Sequence, residues 1–260
     1  MRQMLSYQHI YHAGNLADVH KHSLLAWILK YLTQKDKPIS YIETHAGRAL
    51  YDLQAPEALK THEAVVGITR VSNWFARDHP YQECLQKTNK KNGKFMYPGS
   101  PMIASQLLRS SDVITLAELH PSEHKALELA LPNAVCRQVD GFSMAHSILP
   151  PTPRRGLMII DPSYEIKEDY DTIPTHIKKY TRTWNVGIII LWYPILMSFP
   201  HKSMLTKLLS NHPDALRHEV SFPPARKSHS LIGSGLFIIN PPYGTTQETK
   251  HLETQFDMLG

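Results

Sequence analysis

Short apolar runs bounded by turn-forming residues recur along the chain at 39–44, 113–119, 134–139, 156–160, 186–193, 216–222 and 231–239. Several are unbroken β-branched or aliphatic runs rather than alternating ones, the pattern of strands covered on both faces. Helical patterns lie between them. Val19, Leu25, Ile28, Leu29 and Leu32 repeat at helical spacing over 18–32. Ser100-Pro101 offers an N-cap and a first-turn proline ahead of 102–108, and Pro121 opens 122–131, which Pro132 closes. Such alternation predicts an α/β fold with a doubly wound, mostly parallel sheet. The segment 223–230 is too short for a crossover helix, so the last two strands are expected to pair antiparallel. Gly233-Ser234-Gly235 suggests a bulge there. About seventy residues separate the first two predicted strands, far more than a simple crossover needs. Residues 61–70 and 81–91 read as short helices in that interval, with a basic turn at Lys90-Lys91-Asn92-Gly93-Lys94. A helical insertion is therefore expected over 55–97, within a main domain formed by 1–54 and 98–260 whose residues 1–37 make an N-terminal helical arm.

Composition narrows the class. The chain has 260 residues, 42% hydrophobic and 20% charged, as folded proteins have. Lys and Arg total 28 against 23 Asp and Glu, and the net charge of +5 favours an anionic partner such as nucleic acid. The longest apolar run, 186–193, is too short for a membrane helix. Arg2 is followed by no secretory leader pattern, so a cytoplasmic protein is expected, with Cys84 and Cys136 as reduced thiols. His9, His12, His20, His22 and His45 raise the question of a metal. No cysteine is near them, Asp18 is the nearest carboxylate, and His20 and His22 face different sides of a helix. Polar lining of a pocket is the expected role, with no metal. Lys21, Lys30, Lys35 and Lys37, then Lys87, Lys90, Lys91 and Lys94, form two basic groups. These suit a phosphate-binding face or an ordinary solvated helix surface.

The richest chemistry follows the fourth strand. Asp161-Pro162-Ser163-Tyr164 places a carboxylate, a proline and an aromatic ring at a strand's carboxyl end, where open α/β sheets bind ligands. A carboxylate and backbone carbonyls there can accept hydrogen bonds from an exocyclic amino group, and Tyr164 can stack on an extruded base. An Asp-Pro turn that merely ends a strand is the ordinary alternative. Asn240-Pro241-Pro242-Tyr243 spells a similar motif, but it ends the last, antiparallel strand, where no further helix or strand is expected to complete a pocket. Topology favours Asp161. Three further strand ends carry suitable groups: the small-residue turn Thr44-His45-Ala46-Gly47, Glu118 for ribose hydroxyls, and Asp140-Gly141 for a nucleoside's adenine edge. Each alone reads as a cap or turn; together, at successive strand ends, they suggest a nucleoside-containing cofactor. Leu191-Trp192-Tyr193-Pro194 ends the fifth strand, its aromatics in the core or against a base.

In order, these motifs resemble the J-type large-subunit ribosomal RNA adenine methyltransferases. The resemblance also takes in Met4-Leu5-Ser6-Tyr7, His12-Ala13-Gly14-Asn15, Ala17-Asp18-Val19, Lys21-His22, Tyr97-Pro98-Gly99-Ser100-Pro101, Arg154-Arg155-Gly156 and Ile239-Asn240-Pro241-Pro242, and so spans nearly the whole chain. It implies a Rossmann-like domain with a small helical insertion that transfers a methyl group from S-adenosylmethionine to the amino nitrogen of an adenine in large-subunit ribosomal RNA. It implies that His22, His45, Gly47, Ser100, Glu118, Asp140 and Gly141 hold the cofactor. Asp161, with Pro162 and Tyr164, would be catalytic, and Tyr7 would lie where RNA enters. A monomer is expected. Older descriptions connect the family with use of external DNA, which leaves a non-catalytic nucleic-acid binder or a DNA adenine methyltransferase as alternatives. Ser163 replaces the usual second proline, Ala49 replaces a second glycine in the cofactor turn, and the chain is expected to stop at Gly260 short of the family's C-terminal extension.

Overall fold

The computed structural model describes residues 7–226 and 230–259; Met4, Leu5, Ser6 and Gly260 lie outside the described residues. The chain enters through a short 3-10 turn, His9–Tyr11, and helix α1 (Leu16–Thr33), whose N-cap Asn15 accepts from the Asp18 amide at 2.8 Å. Strand β1 (Ser40–Glu43) follows, then β2 (Leu50–Asp52), α2 (Pro56–Thr61), α3 (Glu63–Val66), α4 (Ile68–Val71), α5 (Pro80–Asn92) and β3 (Met96–Pro98). Helix α6 (Ser100–Leu107) leads to β4 (Val113–Ala117), α7 (Pro121–Ala130), β5 (Val135–Arg137), α8 (Gly141–Ile148) and β6 (Gly156–Ile160). The chain continues through α9 (Asp169–Thr183), β7 (Ile188–Leu196), α10 (His201–Asn211), β8 (Leu216–Ser221), β9 (Leu231–Ile239) and α11 (Thr245–Asp257).

Among the described residues, seven strands form one sheet in the order β5-β4-β1-β6-β7-β9-β8. All run parallel except β9, which lies antiparallel between β7 and β8, as the short 223–230 connection requires. Pairing is regular through Gly233-Ser234-Gly235, and the expected bulge lies one residue earlier, at Ile232 of β9, which is skipped between the Ile195–Gly233 and Leu196–Leu231 pairs. Alternate residues of each central strand enter opposite core layers. Tyr41, Leu157 and Ile159 face the layer beneath α1, α6 and α11, while Ile42, Met158 and Ile160 face α8, α9 and α10.

The interval 55–97 holds α2 to α5, flanked by the antiparallel ribbon β2–β3, in which Tyr51 pairs with Tyr97. Tyr81, Cys84 and Leu85 of α5 join the same core as α1. The expected single helix over 61–70 is instead broken. His62 is left-handed at φ 57°, and Gly67 turns the chain so that the Ile68 amide donates to the Gly14 carbonyl at 2.8 Å. A side chain at 67 would collide with that carbonyl. Two further expectations are corrected. Ser100 is the first residue of α6, not its cap; the cap position is Gly99, and the Ser100 hydroxyl donates to Glu43 at 2.5 Å. A helix, α11, also follows Asn240, contrary to the expectation that nothing did.

Strands β1 and β6 touch where Gly156 faces Ser40, and a Cβ at 156 would meet the Ser40 carbonyl. Gly156→Ala must separate the two central strands, and urea unfolding is expected to show a loss of about 1–3 kcal/mol.

Candidate functional site

The carboxyl ends of β1, β4, β5, β6 and β7 converge with the N-terminal arm around a cavity of about 510 Å³. Each residue that the resemblance assigns to the site lines it: Tyr7, His22, His45, Gly47, Ser100, Glu118, Asp140, Gly141, Asp161, Pro162 and Tyr164; of the histidines expected as pocket lining, His20 does not. Asn240 does not. Its strand is antiparallel, and Ile239 pairs with Ile189 at the start of β7, so Asn240 sits at the opposite end of the sheet with its amide donating to the Asn185 and Gly187 carbonyls.

One half of the cavity is built from turns. Gly47 adopts φ 64° with the Tyr51 hydroxyl where a Cβ would project, and its amide donates to Glu118 at 2.8 Å. The other Glu118 oxygen accepts the His120 amide at 2.7 Å, and burial raises the carboxyl's pKa. Each oxygen keeps a lone pair for further donors such as ribose hydroxyls. Asp140 caps α8 through the Ser143 amide at 2.7 Å. Gly141 is pressed against the Thr44 carbonyl, where no side chain fits. His45 is held by the Thr44 hydroxyl at 2.8 Å and lies edge-on to Phe142; burial pushes it down to about 4, so the ring is neutral. His22 is likewise neutral, pushed down by burial to about 3, and its Nδ1 pairs with the Tyr97 hydroxyl at 2.8 Å. Ser100 reaches the cavity wall beside Glu43, a fully buried carboxyl that also accepts the Tyr41 hydroxyl at 2.8 Å. Burial pushes Glu43 up to about 8.

The other half is a chain of charges. Lys21 donates to Asp161 at 2.5 Å and to Asp18 at 3.2 Å, and its ammonium stands 5.4 Å from the Trp192 ring centroid. Burial disfavours this charge, yet the two carboxylates raise its pKa, so it remains an ammonium. Asp18 in turn accepts from the Gly14 amide at 2.9 Å and pairs with His9 at 2.8 Å, whose other nitrogen meets the Tyr7 hydroxyl at 2.8 Å. Burial works against the Asp18 carboxylate, but His9 and Lys21 facing it hold it well below the usual range. Tyr164, left-handed at φ 55°, donates to the Trp192 carbonyl at 2.8 Å and packs against Tyr170 at 4.6 Å between ring centroids. The Tyr7 amide donates to Glu165 at 3.2 Å, tying the arm to the loop that carries Asp161.

Sequence reasoning missed the roles of Asp18 and Lys21, while His9 lines the cavity as expected. It grouped Lys21 with a basic surface; the structure buries it at 4% exposure, because two carboxylates draw it inward. The signal was present as Asp18, Lys21 and His22 at i, i+3 and i+4 on one helix face. His20 faces away, bonded to Ser234 and His218 at 2.8 and 2.9 Å. Among the described residues, no group of three or more His, Cys, Asp or Glu is arranged to hold a metal, and no helix is long and apolar enough to cross a membrane.

Residues 36–257 match the family model described as Ribosomal RNA large subunit methyltransferase D, RlmJ. The chain is 37% identical over 258 residues to ribosomal RNA large subunit methyltransferase J of Escherichia coli K12, covering 96% of this chain and 91% of that protein. It is 36% identical over 260 residues to the protein of that name in Haemophilus influenzae, covering 96% and 92%. A crystal structure of a Legionella pneumophila protein, 38% identical, superposes with a TM-score of 0.85 over 95% of this chain and 94% of that one.

Two predictions concern Ala49 and Glu43, beside the turn-built half of the cavity. Ala49 adopts φ 66°, a conformation that glycine takes without cost. Ala49→Gly is expected to stabilise the protein by about 0.5–1 kcal/mol in urea unfolding. Glu43 keeps its proton to about 8 when folded, whereas in the unfolded chain it ionises near about 4.3. Its stabilising contribution is therefore complete below the lower value and lost as pH rises through the upper one. Across pH 6 to 8, unfolding midpoints should show Glu43→Gln gaining about 1.4 kcal/mol per pH unit over the wild type.

Proposed function

The chain belongs to the ribosomal RNA large subunit methyltransferase J family, and from that premise we propose that it methylates the exocyclic amino nitrogen of an adenine in large-subunit ribosomal RNA, with Asp161 as the group that receives the amine. It is an S-adenosylmethionine-dependent methyltransferase of Rossmann-like α/β fold. The observation that carries the adenine reading is the placement of Asp161, paired to a buried Lys21 at the carboxyl end of β6, inside a cavity whose other half suits a nucleoside.

The turn-built half fits the cofactor. Close approach at Gly141 and Gly47 leaves backbone where a side chain would intrude, and Glu118 offers acceptors for ribose hydroxyls. Asp140 and Gly141 would border the adenine, while neutral His22 and His45, with Ser100, would line the amino-acid portion and add no repelling positive charge next to a sulfonium. When bound, S-adenosylmethionine supplies an already activated methyl group.

The remaining work is positioning. Lys21 occupies Asp161 Oδ2 and leaves Oδ1 as acceptor for one amino hydrogen. The Pro162 carbonyl would accept the other. Two acceptors outside the plane of the base draw the nitrogen toward tetrahedral geometry, which frees its lone pair from the ring. The amine so held by Asp161 and Pro162 would take the methyl group that the cofactor supplies, with the departing thioether as leaving group. The nitrogen becomes positive, and the surplus proton passes through the Asp161 carboxylate to solvent. Tyr164 and Trp192 would flank the extruded base, and Tyr7 with His9 would close the entrance.

Purified protein, labelled S-adenosylmethionine and unmodified ribosomal RNA test this. Wild type is expected to label adenine in large-subunit RNA, and Asp161→Ala to lower kcat by about 100-fold or more, while calorimetry shows the cofactor still bound. Lys21→Met should likewise lower kcat, since it leaves two buried carboxylates facing each other. Wild type that labels only DNA, or nothing, or Asp161→Ala that labels RNA at full rate, overturns the reading.

A further inference from the structure

The loop that follows β7 presents its apolar side chains to solvent. Phe199 is 41% exposed and Met197 54% exposed. Phe199 adopts φ 51°, the left-handed region that a bulky side chain rarely takes. The loop is anchored on both sides. The Phe199 amide donates to the Leu196 carbonyl at 2.9 Å, and the Met197 amide to the Ser230 carbonyl at 3.1 Å. Behind it, His201 lies edge-on to Phe199 at 6.0 Å and stacks on buried Tyr193 at 5.5 Å. Leu196 and Ser230 line the site cavity on its Trp192 side, and the loop's hydrogen bonds to both place Phe199 next to that wall. The Lys202 ammonium lies 4.4 Å from the Phe199 ring centroid and, among the described residues, is in no ion pair.

An exposed ring in strained backbone gains nothing from water, and glycine or asparagine would satisfy the turn more easily. A cation on that ring adds what a nucleotide needs: a π-face for a base and a positive charge for its phosphate. Extruding one base from an RNA leaves its neighbours unstacked, and these require a new surface close to the cavity mouth. We propose that Phe199 and Lys202 form a subsite for a nucleotide flanking the target adenine, the base stacking on the ring and the phosphate pairing with the ammonium. This rests on the RNA reading above and extends it from the extruded base to its neighbour in the strand. It gives the enzyme a grip on unpaired RNA beside the target that is independent of the cofactor.

Two measurements test it: anisotropy of a fluorescein-labelled, in vitro transcribed large-subunit RNA fragment without cofactor, and steady-state methyl transfer to the same RNA. Phe199→Ala and Phe199→Gly, the second suited to the left-handed backbone, are expected to weaken RNA binding and raise KM for RNA about tenfold, with kcat and cofactor affinity changed by no more than about twofold. Phe199→Tyr keeps the π-face and should stay within about twofold of wild type. Lys202→Ala should weaken binding about threefold and lower the salt dependence by about one phosphate contact. RNA affinity unchanged in both Phe199→Ala and Phe199→Gly overturns the subsite, as does an equal loss in Phe199→Tyr. A change of mass in light scattering on Phe199→Ala, without a change in RNA binding, would mean that the loop seats a second copy instead and also overturns it. If wild type transfers no methyl group to RNA, the function proposed above fails, while the anisotropy series still decides whether the loop binds RNA.

Discussion

Lys21 is the constraint on which the site depends. Its ammonium is buried, and a charge in that position persists only because Asp18 and Asp161 face it from two different elements. Taking one partner from such a group typically costs about 3–5 kcal/mol, since the remaining charges stay buried and uncompensated. The contact therefore fixes α1 against the end of β6. It sets the orientation of the Asp161 carboxylate, and through Asp18 it extends to Gly14, His9 and Tyr7. The arm and the loop that carries Asp161 are two ends of one electrostatic unit, and the Tyr7–Glu165 hydrogen bond joins them a second time.

The opposite wall follows a different rule. Where the first half concentrates charge, the second removes it: His22 and His45 are neutral, and Glu43 holds its proton into the mildly alkaline range. Neither histidine therefore brings a positive charge to this wall, and the cavity's described ammonium, Lys21, lies on the other side against Asp161. His22 also hydrogen bonds Tyr97, and Tyr97 meets Tyr81 of α5 at 2.9 Å, so the 55–97 interval helps set this wall.

Most of the architecture was legible in the residue pattern because it rests on local rules. Continuous aliphatic runs marked β1, β6, β7 and β9, and the eight residues before Leu231 ruled out a crossover. The site-bearing strand ends were found for the same reason, since ligand position in an open sheet follows topology. What escaped depends on contacts between distant parts of the chain. Gly67 breaks the expected 61–70 helix because it meets Gly14, more than fifty residues earlier in sequence. Ser100 leaves its capping role because Glu43 accepts its hydroxyl. Lys21 looked like one more surface cation, since nothing nearby in sequence shows that Asp161 waits across the fold. The amphipathic pattern of α11 was overlooked because it is weak and polar, although Leu252 and Phe256 are buried.

The position of β9 bears on how the protein is made. Among the described residues, strand β8 has no neighbour in the sheet other than β9, and β7 keeps an open edge until β9 fills it. The ribosome delivers 231–239 after every other strand. A nascent chain that has completed β8 thus carries two unsatisfied edges, with a slot one strand wide between them. Exposed edges of this kind recruit foreign strands. The last strand acts as a keystone: until it is seated, the half of the sheet that bears Trp192 cannot close, and Leu231 is missing from the cavity wall. The closing of the sheet and of this cavity wall both wait on β9.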